Sequence, residues 1–314
     1  MEQVLFEEYG ALGFGIETDQ TLPVAGSRHV AGGFVVPAML GCDVRFAPES
    51  APWVIPLNLS EQEIWDLKPP DIHSKSPMRE LIGLMDDLQA EFGYVLGDFN
   101  CGGVLNIALD LRGNALYMDF YDRPSLVRYL FEVITQTIIE TAQYVKSRTG
   151  TSSISVNRMV SRIEPGLFLH GNCAVCQISP SIYEKFLLPC EKYLAGNLQP
   201  YGIHHCGDNL HLFCNQYMQV PAVFFDVGWG SDVAACRRDF PDAFLNLRLS
   251  PVRMLQCKPE EIVNDVEMLL TQVKSVDDLG VCCINMDYGT PKENLYALFD
   301  TVRRFRGMDF LCSN

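Results

Sequence analysis

The chain has 314 residues, 48% of them hydrophobic, enough for one large domain or two ordinary ones. Its formal net charge of −15 argues against nucleic acid or an anionic membrane surface as partner. It contains no apolar run of the length a membrane-spanning helix needs, so no transmembrane segment is expected.

The first 90 residues read as irregular, with Pro69-Pro70 as a turn or linker. Gly93 to Gly97 is strand-like. Pro124 to Arg148 reads as one long helix, with apolar residues at 126, 127, 130, 131, 134, 138 and 139. From about residue 165, short apolar runs alternate with helical patterns. Gly166 to His170 reads as a strand, and Ser179 to Ala195 as a helix with Ser179 as N-cap and Pro180 in its first turn. Tyr201 to His205 is a strand and Asn209 to Tyr217 a helix. Val220 to Asp226 contains another strand, and Phe244 to Leu249 is the next. Pro259 to Lys274 is an amphipathic helix, Val281 to Asn285 a strand, and Pro291 to Arg306 the closing helix.

Repeated strand–helix units of this length predict parallel α/β architecture. The first choice is a TIM (β/α)8 barrel, a single domain over residues 1–314 with an irregular N-terminal segment. An open doubly wound sheet is the second, and no Gly-rich phosphate or dinucleotide fingerprint supports it. The N-terminus, Met1-Glu2-Gln3 followed by Glu7-Glu8, lacks the pattern of a signal peptide. Twelve cysteines are scattered along the chain, and Cys282 and Cys283 are adjacent. A reducing, cytoplasmic setting is expected, with most thiols acting as small buried hydrophobes.

The segment Gly202-Ile203-His204-His205-Cys206-Gly207 carries the clearest chemical signal. In an extended strand residues two apart share a face, so His204 and Cys206 converge while His205 points the other way. An imidazole and a thiolate begin a zinc site, which needs a further ligand. The distant candidates are Cys282 and Cys283. In a barrel, chemistry sits at the carboxyl ends of the strands. His204, Cys206, Asp226, Cys283, Asp98 and Asn100 all fall there in this reading. Asn172 and Cys173 end another strand. Asp98, Asn100, Asn172 and Cys173 are therefore candidates for substrate contact. Cys173-x-x-Cys176 reads as core or pocket lining rather than a second metal pair.

Several stretches resemble the uroporphyrinogen decarboxylase superfamily. They are Leu40-Gly41-Cys42-Asp43-Val44-Arg45-Phe46-Ala47-Pro48 with Pro52-Trp53, Ser179-Pro180-x-x-Tyr183-Glu184-x-Phe186-x-x-Pro189, His204-x-Cys206-Gly207, and Thr290-Pro291-x-x-Asn294. The resemblance implies a TIM barrel and two branches of function. True decarboxylases carry an Arg-rich motif near the N-terminus, whereas here Arg28 is the only arginine before Arg45. They also place an essential Asp just before the segment matching Phe34-Val35-Val36-Pro37. Gly32, with Gly33 beside it, stands there in this chain.

The other branch resembles methylcobamide:coenzyme M methyltransferases, which use His-x-Cys and a late Cys as zinc ligands. That implies His204, Cys206 and Cys283 as metal ligands, with Cys282 as the alternative. It implies Zn2+ as cofactor and methyl transfer between a corrinoid and a thiol. Asp226 would act as a displaceable fourth ligand or accept the thiol proton. Asp71-Ile72-His73 begins a corrinoid lower-ligand pattern, but Ser76 stands where Gly is required. The corrinoid is therefore expected on a separate partner protein. The motifs leave open the identity of the thiol and the direction of transfer.

Overall fold

The computed structural model describes residues 23–26, 32–47, 50–153, 155, 157, 160–273, 277–287 and 289–307. Its strands are β1 (Val24–Gly26), β2 (Asp43–Ala47), β3 (Ser50–Ile55), β4 (Leu96–Asp98), β5 (Phe168–Gly171), β6 (Tyr201–His205), β7 (Ala222–Val227), β8 (Phe244–Leu249) and β9 (Leu279–Cys283). Strands β5 to β9 form one all-parallel sheet in sequence order, and β1 pairs with β4 in parallel. Two links join these pieces. Phe99 makes a parallel bridge to Ser153, and Leu169 N–H donates to Ser153 O at 2.7 Å. The Ser153 segment thus stands between β4 and β5. Eight parallel segments follow one another side by side, the order an eight-stranded barrel requires. Among the described residues no strand pairing joins β9 to β1, so the expected closure of the ring is not seen there.

The two faces of the sheet differ in content. Register sets Leu169 beside Gly202, Gly202 beside Phe224, and Phe224 beside Phe244. Leu169, Phe224, Leu167 and Val160, with Phe244 against them, form a small inner cluster. Gly202 is required there, because a Cβ would lie 2.9 Å from Leu167 Cδ2 and 3.1 Å from Phe224 Cβ. Strand side chains alternate between faces. Further along the same inner face come His204, Asp226, Asn246, Arg248 and Cys282, paired in register from strand to strand. The opposite face carries Phe168, Ile203, Phe225, Leu245, Leu247 and Leu249 into the large core beneath the helices. Each such fully buried side chain contributes roughly 1.5–3 kcal/mol relative to exposure.

The long helix predicted from residue 124 runs Pro124–Thr149. Pro124 fits its first turn, where its missing N–H has no intrahelical partner to lose, and Gly150 ends it at φ +71°. Ser179 caps its helix as expected by accepting from Ile182 N–H. That helix widens into a π turn at Tyr183–Leu187 before continuing as Leu188–Asn197. Pro189 explains the widening, since it has no N–H to offer the preceding turn.

Four expectations need correction. The first 90 residues are not simply irregular. Strands β2 and β3 pair antiparallel, Ser60 and Glu63 form a capping box, and Met78–Phe92 is a 15-residue helix. Gly93 is the left-handed cap of that helix, which delays the strand to Leu96. Asn209 to Tyr217 is a 3-10 turn followed by one α turn. Strand β9 starts at Leu279, two residues earlier than predicted. No helix among the described residues is long and apolar enough to cross a membrane.

Candidate metal centre at the strand ends

β6 carries His204 into the inner face, fully buried. Its Nδ1–H donates to Asp226 Oδ2 at 2.7 Å, from the register partner on β7. Asp226 Oδ1 accepts from Asn246 Nδ2 at 2.6 Å and Asn157 Nδ2 at 2.8 Å. The carboxylate therefore fixes both the ring orientation and its tautomer, leaving Nε2 as the free nitrogen. Nε2 is buried and has no hydrogen-bond partner within the network. Burial opposes charge on this ring, but Asp226 and Cys206 together hold its pKa above the ordinary value.

Nε2 faces two sulfurs. The ligand atoms of Cys173, His204 and Cys206 all lie within 4.8 Å of one another. Ligand atoms of a tetrahedral zinc site are about 3.3–3.8 Å apart, so a small closure would complete such a triad. One imidazole and two thiolates form the borderline-soft set that suits zinc. The residues therefore fit a metal ion.

Cys173 enters this group because the turn after β5 packs tightly on the end of β6. Asn172 N–H donates to His204 O at 2.8 Å. Gly207 permits the approach, since a Cβ there would lie 2.4 Å from Cys176 Cβ. Gly103 permits another, since its Cβ would meet Gly171 O at 1.7 Å.

The electrostatics favour thiolate at Cys206. The Cys173 thiol beside it, His204 and the Arg248 guanidinium together pull its pKa down to about 3. Arg248 Nη1 donates to Cys206 Sγ at 3.1 Å. The same contact with Cys206, added to burial, pushes the Cys173 thiol up.

The structure redistributes the other expected site residues. Cys283, expected as the third ligand, pairs in register with Leu249 and faces the outer, helix-covered layer. The register is the reason, because Cys282 is the partner of the inward Arg248 and the next residue points to the other face. Cys282 is the inward residue, and its sulfur accepts from Asn246 Nδ2 at 3.0 Å. Asp226, expected as a ligand or proton acceptor, has both oxygens engaged and acts instead on His204. Asn172 does not face the donor group, because its amide donates to Glu191 Oε1 at 3.0 Å on the opposite side. Asn100 is buried, and its Oδ1 accepts from Gly102 N–H at 2.9 Å. Asp98 ends β4, and its side chain lies outside the described residues. His205 turns away from its neighbours, to Tyr217 OH and Asn209 Oδ1, both at 2.9 Å.

Sequence reasoning missed Arg248, Asn246 and Glu191. Glu191 is fully buried, and its Oε1 accepts from His170 Nδ1, Asn172 and Tyr201. Val104 N–H donates to His170 Nε2, so the His170 proton is on Nδ1. A signal for the β8 pair was present: in Phe244-Leu-Asn-Leu-Arg-Leu the polar residues alternate with leucines, marking a polar inner face.

The comparisons agree with this architecture. The family model described as Uroporphyrinogen decarboxylase (URO-D) matches residues 30–305. A solved structure, a methyltransferase from Methanosarcina mazei, superposes with a TM-score of 0.65 at 16% identity. The match covers 87% of this chain and 78% of that one. No curated protein matches the sequence. Nearly the whole described fold lies within the family match, and the chain belongs to the uroporphyrinogen decarboxylase family, whose members are enzymes.

Proposed function

We propose that this protein is a zinc-dependent methyltransferase that moves a methyl group between a corrinoid on a separate carrier protein and a small-molecule thiol. The observation that carries the reading is the free, buried Nε2 of His204 set among the sulfurs of Cys206 and Cys173. The methyltransferase name of the M. mazei structure supports it at the level of fold. Zinc held by Cys173, His204 and Cys206 would act as a Lewis acid toward a thiol, lowering its pKa and keeping its sulfur electron-rich.

The chain's own residues prepare that chemistry. Asp226 holds the His204 proton on Nδ1 and so keeps Nε2 available as a donor. Asn246 and Asn157 neutralise the remaining demand of the carboxylate by hydrogen bonding. The thiolate of Cys206 and the sulfur of Cys173 balance a divalent charge. Decarboxylation has less support. Gly32 stands where the decarboxylases' Asp is expected, and a glycine offers no side chain to a pyrrole nitrogen.

The test is zinc-loaded protein incubated with methylcobalamin and a panel of thiols. Loss of the methyl–cobalt absorbance should accompany formation of a methyl thioether, detected by mass spectrometry. Cys206→Ser should abolish both. Zinc-replete protein that consumes no methylcobalamin with any thiol, while decarboxylating a porphyrinogen, would overturn the reading.

A further inference from the structure

We propose that Arg248 directs methylation to the substrate by suppressing attack from the enzyme's own Cys206. The inference rests on the thiol-methylating reading above and adds a selectivity device to it. In such a site the ligand sulfurs and the substrate sulfur compete for one electrophile, because every thiolate there is a nucleophile. Cys206 is only partly buried, so burial alone does not protect it.

Arg248 is placed to do so. It sits on the inner face of β8, 6% exposed, and its Nη1 donates to Cys206 Sγ at 3.1 Å. A guanidinium is permanently charged, so this is a charge-assisted N–H···S bond. It stabilises negative charge on the sulfur. When sulfur attacks carbon that charge is lost and the bond weakens. The interaction is therefore stronger in the ground state than in the transition state, which slows the reaction at that sulfur.

A purely structural role accounts poorly for the placement. A buried arginine is ordinarily paired with a carboxylate. Asp226, the carboxylate whose charge Arg248 feels, accepts its hydrogen bonds from His204, Asn246 and Asn157. Arg248 Nε is buried without a hydrogen-bond partner. Among the described residues the guanidinium thus engages sulfur on one side with no ion pair to an acid on the other.

The experiment is alkylation of zinc-loaded protein by iodoacetamide, resolved by peptide mapping. Cys206 sulfur forms the new S–C bond, the C–I bond breaks, and iodide leaves with its electron pair. Arg248→Met should alkylate Cys206 about tenfold faster than wild type at unchanged zinc stoichiometry. Arg248→Lys, which keeps a charged donor, should stay near the wild-type rate. A wild-type rate in Arg248→Met with zinc retained would overturn the proposal. Loss of zinc in Arg248→Met would also overturn it, by making Arg248 part of the site's assembly. Absence of zinc from the wild type would instead sink the functional reading beneath it.

Discussion

The Nδ1 of His204 lies 2.7 Å from Oδ2 of Asp226, and both groups are fully buried. This contact converts a His-x-Cys motif into a donor of fixed tautomer aimed at two sulfurs. Asp226→Asn should keep the side-chain volume but lose the charge that holds the proton on Nδ1. Zinc affinity should fall about 10- to 100-fold, read by competition with a chromophoric chelator. Unchanged affinity would show that Asp226 does not orient the ring.

Gly207 makes the close approach of Cys176 possible. Gly207→Ala should push the Cys173 turn off the end of β6 and weaken zinc binding about tenfold or more. Gly196→Ala is the control, because a Cβ there meets nothing within 4 Å. Equal affinities in the two variants would refute this account of the turn.

Metal-free protein should contain about one thiolate per chain at pH 6. Cys206 is held down to about 3, whereas an unperturbed thiol near 8.5 is almost wholly protonated there. Burial pushes Cys42 and Cys101 up to about 12 and Cys190 and Cys283 up to about 11, so they stay silent. Absorbance near 240 nm reads the thiolate directly. Its absence at pH 6, or its persistence in Cys206→Ser, would contradict the assignment.

Burial lowers the pKa of His205 to about 4. Below its unfolded value of about 6.5 the unfolded chain takes up a proton that the folded chain refuses. Stability should therefore drop as pH falls from about 6.5 toward 4, by about 3 kcal/mol from this residue alone. Thermal melts of wild type and His205→Gln across that range should converge in pH dependence only if His205 is not the cause.

How much of this was legible in the sequence depended on the range of the interactions. The alternation of apolar runs and helical patterns placed β5 to β8 within a few residues, because local periodicity encodes them. His204 and Cys206 emerged from strand parity, a local rule. Cys283 came from the resemblance rather than from parity, and the register that pairs Cys282 with Arg248 and Cys283 with Leu249 turns it to the outer face. Cys173 joined the donor group through Gly207 and the Asn172–His204 backbone bond, contacts that bring separate loops together. Nothing local in Cys173-x-x-Cys176 announces them. Asp226 was correctly set at a strand end, but its partners Asn157 and Asn246 come from other segments, so its role was not readable.

Zinc content of chains purified without chelator, compared across single variants, tests the central claim most directly. The account predicts about one zinc per chain in the wild type, lost in Cys173→Ser and Cys206→Ser and retained in Cys283→Ser. A zinc-free wild type after metal-replete purification, or zinc kept by Cys173→Ser and lost from Cys283→Ser, would contradict it.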